Sequence, residues 1–365
     1  MTNQQTTSVR DGRRLTEFTY NRAQRRFLEA QMKKVSRSFA LVVSYLEKPL
    51  REYLSAAYLV CRVVDNIEDC TEPYSWQRSR FEDFESLLAE PSRAASLVEA
   101  WGDYAWPGLT EDEKRLMGPK DGTMLWQIYA SMPALARQVI GRWARDMAQG
   151  MSRIEDPDQP PRLAHRDGVQ ILASLPDYNV YCYYVAGTVG HLATELAVDF
   201  YGISGPSVAQ LQLTSQACAR GLQKTNIVKD FREDLARGVS YLPDEWLRQA
   251  DYRPLELAGA PLSWKRQVVD DVLAELREAT QYVLALPYEA AGYRIASLLC
   301  LFPAYQTLLR AAERGNSLFT ADHNMKISRF TMMNCIRDAR NLVRDNEAVL
   351  AYSRAAEEAI DSLLI

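Results

Sequence analysis

Apolar residues in this 365-residue chain return at intervals of three and four through most of its length, whereas alternating apolar and polar runs closed by hairpin turns are scarce. An α-helix turns once in 3.6 residues, so this interval lines apolar side chains along one helical face and argues against a sheet protein. The spacing predicts helices near residues 20–35, 49–70, 76–89, 121–152, 165–200, 206–236, 263–286, 288–314 and 326–362, the last broken near Asp345. Between them lie turn residues: Thr71-Glu72-Pro73, residues 101–122 with two prolines and four glycines, 155–161, 202–206 and 237–244. Only 101–122 is long enough to separate a pair of domains, and the helices on either side of it are equally apolar. The expectation is an all-α protein, with a flexible tail over residues 1–18 and a single helical domain over 19–365.

A core of the required size is available, since 47% of the residues are apolar and 25% charged. The net charge is -4 and the basic residues are dispersed, which argues against nucleic acid as a partner. Cys61, Cys70, Cys182, Cys218, Cys300 and Cys335 form no CxxC pair and have no histidine cluster beside them. Neither a zinc site nor a disulfide framework is expected, and a reducing cytoplasm fits. Residues 1–14 lack the apolar segment of a secretory signal. The most apolar late stretch, Ala296 to Leu309, contains Pro303 and falls short of the ~20 residues that span a bilayer, so no transmembrane segment is expected.

Two acidic motifs carry the chemistry. In the first, Asp65, Glu68 and Asp69 stand at i, i+3 and i+4, which puts three carboxylates on one helical face that Tyr58 and Arg62 continue. The rest of that helix is apolar, so the acids need a counter-ion. The second motif repeats the geometry with Asp230, Glu233 and Asp234, beside Gln223, Asn226 and Ile227. Oxygen donors without imidazole or thiolate suit Mg²⁺, which shares carboxylates with substrate phosphates. Two such helices facing each other could bind a diphosphate through metal ions. Breaking an allylic C–O bond then needs the leaving charge neutralised, and the carbocation left behind needs apolar and aromatic walls. Tyr178, Tyr181, Tyr183, Tyr184, Phe39 and Tyr58 are available, although a tyrosine stripe at helical spacing equally serves core packing. A helical scaffold with solvated acidic faces is the contrasting reading.

In this order the motifs resemble the squalene and phytoene synthase family, from about Val35 to Arg329. The strongest blocks are Ser36-Arg37-Ser38-Phe39-Ala40, Tyr58 to Asp69, Tyr181 to Gly190, and Leu222 to Asp234. The resemblance implies a single-domain type I isoprenoid synthase helical bundle with a central cavity. It implies that Asp65, Glu68 and Asp69 face Asp230, Glu233 and Asp234 and bind Mg²⁺. Arg62, Arg37, Gln223 and Asn226 would assist with diphosphate, Ser38, Phe39 and Tyr58 would line the wall, and Tyr181 would serve the cyclopropane-forming step. The run from Val185 to Gly190 fits either a prenyl chain or a neighbouring helix at close range.

Within the family, SRSFA, the DNIED of the first motif and Gln223-Lys224-Thr225-Asn226 are similar to the squalene-forming branch. That branch implies farnesyl diphosphate as substrate and NADPH as reductant, whereas Tyr181 to Gly190 and Arg237 to Pro243 look closer to the non-reductive branch. Lys229 stands where the family commonly has arginine, which has the bidentate fork for phosphate that lysine lacks. Lys326 and Arg329 match positions that could contact the cofactor phosphate, or are simply surface cations. Ala359 to Ile365 do not resemble the eukaryotic members' C-terminal anchor, so none is expected. A greasy substrate would still bring such a protein into peripheral contact with a membrane.

Overall fold

The computed structural model describes residue 15 and residues 19–156, 163–319 and 325–364. Leu15 is buried and its carbonyl accepts the Tyr53 hydroxyl at 3.1 Å; the rest of the expected tail up to residue 18 lies outside the described residues.

Local chemistry sets the helix starts. Helix α1 (Arg22–Val35) opens on a capping box in which Asn21 and Gln24 each accept the other's backbone N–H at 2.9 Å. Ser36 caps α2 (Arg37–Val43), accepting from the Phe39 N–H at 3.2 Å. Helix α3 (Leu50–Glu68) buries nearly every residue outside the first acidic motif. Next come α4 (Tyr74–Ala89), α5 (Ala94–Gly102), α6 (Glu111–Met117), α7 (Gly122–Ser131) and α8 (Ala134–Ile154). The expected helix over 121–152 is thus two, because Pro133 has no N–H to continue α7 and instead opens α8. Residues 101–122, read as a loop, contain α6, whose capping box joins Thr110 and Glu113.

The expected helix over 165–200 is the largest departure. It begins instead as a hairpin of β1 (Leu163–Arg166) and β2 (Val169–Leu172), with Arg166 opposite Val169. Asp167 and Gly168 form the turn at φ 53° and 81°, the left-handed pair that a two-residue hairpin requires. Helix α9 (Leu175–Cys182) then starts at Ser174 and passes through a π turn, Tyr183–Gly187, into α10 (Thr188–Tyr201).

Helix α11 (Pro206–Ala236) has the expected bounds. It ends at Arg237, and Gly238 at φ 80° turns the chain into β3 (Val239–Ser240), which runs parallel to β2. Helices α12 (Asp244–Gln249), α13 (Leu262–Ala285), α14 (Ala291–Ala312), α15 (Arg329–Leu342) and α16 (Asn346–Leu363) complete the chain, with Asp345 capping α16 at the expected break. Helix α11 lies centrally, packed against α10, α13 and α14, while α3 packs on α8 and α10. By length and composition α14 could cross a membrane, but 67% of its apolar window is buried against neighbouring helices, as in a core helix.

Candidate functional site

The two acidic motifs project from α3 and α11 toward common neighbours. On α3, Arg62 stands 3.6 Å from Asp65 and also pairs with Glu113 of α6. Glu113 is itself fixed, because its other oxygen accepts from the Thr110 N–H at 2.8 Å and the Thr110 hydroxyl at 2.7 Å. Burial pushes the Asp65 carboxyl up to about 7; the charges of Asp69 and Glu113 add to this and Arg62 opposes it. Burial also lifts Glu68 well above the usual carboxylate range, with the charges of Asp69, Glu155 and Asp65 adding and Arg237 opposing. Asp69 is raised by burial against the pull of Arg62 and Arg237. On this face Asp65 and Glu68 are half-buried and Asp69 is exposed, with Arg62 paired to Asp65.

On α11 the stripe runs from solvent inward. Glu233 and Asn226 lie at its exposed edge, Asp230 and Gln223 are half-buried, and Asp234 is buried. Lys229 holds two members, meeting Asp230 at 3.1 Å and donating to Asn226 Oδ1 at 2.7 Å. Asp234 accepts from Arg237 at 2.6 Å, and burial raises its carboxyl. Lys326 stands 3.9 Å from Glu233, and Arg329 is exposed at the start of α15.

Besides Glu113, two residues that the sequence reading did not assign join the motifs. Arg237, beside Asp234, also acts on Glu68 and Asp69 across the site. Tyr241, carried into place by the Gly238 turn and β3, stacks on Tyr181 with ring centroids 4.6 Å apart and an interplanar angle of 18°. Burial raises the phenols of both tyrosines, and the Glu68 charge raises both further; Asp234 and Asp69 also act on Tyr241. The pair therefore lies within the field of both motifs. Among the described residues, no three Asp, Glu, His or Cys side chains converge closely enough to hold a metal ion unaided. Cations beside the motifs include Arg62 at Asp65, Lys229 at Asp230 and Arg237 at Asp234.

The other aromatic candidates divide by contact. Phe39 and Tyr58 stack at 4.7 Å and tie α2 to α3, while Arg37 and Ser38 are exposed on the first turn of α2. Tyr178 lies beneath the Lys224 ammonium at 5.0 Å, Tyr183 donates to Asp146 at 2.9 Å, and Tyr184 fills the notch at Gly150, where a Cβ would lie 2.0 Å from its ring. Those three serve packing. A Cβ at Gly190 would meet the Ser215 carbonyl at 2.4 Å, so close approach of α11 to α10 accounts for that glycine. Lys224 is buried and bridges to α13 through Asp271 at 2.8 Å and Glu275 at 3.0 Å, and Arg220 adds a bond to Glu275 at 2.9 Å. This pin fixes the helix that carries the second motif.

A model of the family described as squalene/phytoene synthase matches residues 32–331. The chain is 26% identical to squalene synthase ERG9 of Saccharomyces cerevisiae over 312 residues, which cover 84% of this chain and 65% of that protein. It is 29% identical to squalene synthase of Schizosaccharomyces pombe over 211 residues, 58% of this chain and 42% of the relative. The matches therefore span less than two thirds of these curated relatives' length. Among solved structures, a TcSQS complex with the ligand BPH1237 superposes with a TM-score of 0.76 at 22% identity, covering 93% of this chain and 92% of that one. A dehydrosqualene synthase in complex with ligand gives 0.59 at 18% identity, covering 88% and 97%. At these identities the likeness is one of fold.

Proposed function

Because the chain belongs to the squalene/phytoene synthase family, we propose that it joins two farnesyl diphosphates head to head through presqualene diphosphate and reduces the product to squalene with NADPH. The observation that carries this reading is the Tyr181–Tyr241 stack standing in the field of both acidic motifs.

The all-oxygen donor set fits Mg²⁺, which Asp65, Glu68, Asp69, Asp230, Glu233 and Asp234 would hold and which, when bound, supplies charge that stabilises the departing diphosphate. Arg62, clamped by Glu113, presents a guanidinium of fixed orientation to the same oxygens, with Arg37, Gln223 and Asn226 as further donors at the rim. The C1–O bond of one substrate breaks with both electrons leaving on diphosphate. The C2–C3 double bond of the second substrate attacks the resulting cation, and loss of a proton closes the cyclopropane. Tyr181 would take that proton. Its raised pKa keeps the phenol neutral, so it accepts a proton only while giving its own to the departed diphosphate, directly or through the equally neutral Tyr241 phenol, which passes its own proton on. Phe39 and Tyr58 form an aromatic wall that excludes water from the cation. Lys326 and Arg329, two cations at the acidic rim, fit the phosphate of NADPH, the hydride source for the second half reaction.

The test is product identification after incubation with farnesyl diphosphate and Mg²⁺, with and without NADPH. Squalene formed only with NADPH supports the reading. Dehydrosqualene in the presence of NADPH overturns its reductive half, and no hydrocarbon under either condition overturns it altogether.

A further inference from the structure

Helix α15 turns Cys335 and Ala339 inward against α14, and among the described residues nothing covers its opposite face. On that face Phe330 is 72% exposed and Met333 67%, the first of these the most exposed large apolar side chain among the described residues. Single exposed apolar residues are ordinary, but these two lie one turn apart. At about 100° per residue, Phe330, Met333, Arg337 and Arg340 fall within roughly 80° of one another. The wider segment 326–344 holds Lys326, Arg329, Arg337, Arg340 and Arg344 against the single acid Asp338, in a chain whose net charge is -4. Asp338 meets Arg337 at 3.1 Å and leaves the segment strongly positive.

We propose that this face of α15 is a docking surface for an anionic lipid membrane, with Phe330 and Met333 entering the interface and Arg337 and Arg340 meeting lipid phosphates. Large apolar side chains set among arginines suit the boundary where headgroups meet acyl chains, since arginine stems lie along apolar surface while the guanidinium reaches phosphate. Charge also selects among occupants. A second copy docking through the same face would set its arginines against these, so self-association is disfavoured. Position adds an independent argument. The segment leading into α15 carries Lys326, which touches Glu233 of the second acidic motif, so the docked face adjoins the rim of the site. Granted the reaction proposed above, a water-insoluble hydrocarbon would leave beside the bilayer that takes it up.

The experiment is flotation of the full chain with vesicles of phosphatidylcholine alone and with added phosphatidylglycerol, at low and raised salt. Wild type should float with the anionic vesicles, much less with the neutral ones, and less as salt rises. Arg337→Gln with Arg340→Gln should lower partitioning by roughly fivefold for each charge removed. Phe330→Ser with Met333→Ser should reduce it at both salt concentrations. Failure of wild type to bind anionic vesicles, equal binding to neutral ones, or unchanged binding by both double variants overturns the proposal, and concentration-dependent dimerisation through this face in their place assigns it to a second copy. Turnover with detergent-dispersed substrate reports separately on the reaction: if it is present while flotation fails, the surface is wrong and the reaction stands. Flotation without turnover gives the converse.

Discussion

Replacing Lys224 with methionine should destabilise the protein far more than it changes side-chain volume. Lys224 is 1% exposed and its ammonium holds Asp271 and Glu275 at 2.8 and 3.0 Å, and among the described residues only Arg220 remains nearby to serve them. Removing one partner of a buried ion pair leaves uncompensated charge, at a cost of about 3–5 kcal/mol. Loss of the cation–π contact with Tyr178 adds a further ~1 kcal/mol. Urea denaturation followed by circular dichroism measures the difference. The loss should shrink at acidic pH, because burial already raises the Asp271 carboxyl and Lys224 is among the groups holding it down. The triple variant Lys224→Met, Asp271→Leu, Glu275→Leu should recover much of the stability, since apolar residues of similar size can replace a buried ion pair. A loss below about 1 kcal/mol in Lys224→Met, or one independent of pH, refutes the reasoning.

Three further outcomes are expected. Tyr181→Phe should keep the fold and lower the first half reaction by about 10²- to 10⁴-fold in single-turnover assays, whereas retention of more than half the rate means that the phenol only packs. Glu113→Gln frees the Arg62 guanidinium from its clamp and should reduce kcat/KM by about tenfold with little change in melting temperature, a loss equivalent to about 1.4 kcal/mol; an unchanged kcat/KM removes Glu113 from the account. In chelator, stability should fall as pH rises from about 4 to about 7. The folded-state pKa of Asp65 is raised, so its contribution is full below the unfolded value and is lost as pH passes the folded one. Thermal melts of wild type and Asp65→Asn across that range check this, and identical slopes contradict it.

Much of the scaffold is written locally. The long helix α11 was legible because turn residues bound it, 202–206 before and 237–244 after, with no proline in the run that follows Pro206, and both acidic motifs were legible because their members share a helical face. The hairpin was misread because residues 165–172 contain apolar residues spaced compatibly with a helix, while the left-handed turn is announced only by Asp167-Gly168. Glu113 was invisible as a site residue because its role depends on α6 standing against Arg62, fifty-one positions away, although Thr110-x-x-Glu113 is a capping-box signature. Arg237 and Tyr241 were likewise hidden. Nothing local to residues 237–241 shows that a positive-φ glycine turns them back over Tyr181 and the first motif. The tyrosine stripe divided for the opposite reason: neighbouring phenols on one segment meet different helices, and only Tyr181 meets the site.

The central claim is that acids on α3 and α11 act as one diphosphate site. Calorimetric titration of inorganic diphosphate with Mg²⁺ into wild type, Asp65→Asn and Asp234→Asn tests it most directly. Each substitution alone should weaken Mg²⁺-dependent binding by at least about tenfold, or about 1.4 kcal/mol, because each removes a ligand from a shared site. Wild-type affinity in either variant would mean that the two motifs do not share a ligand.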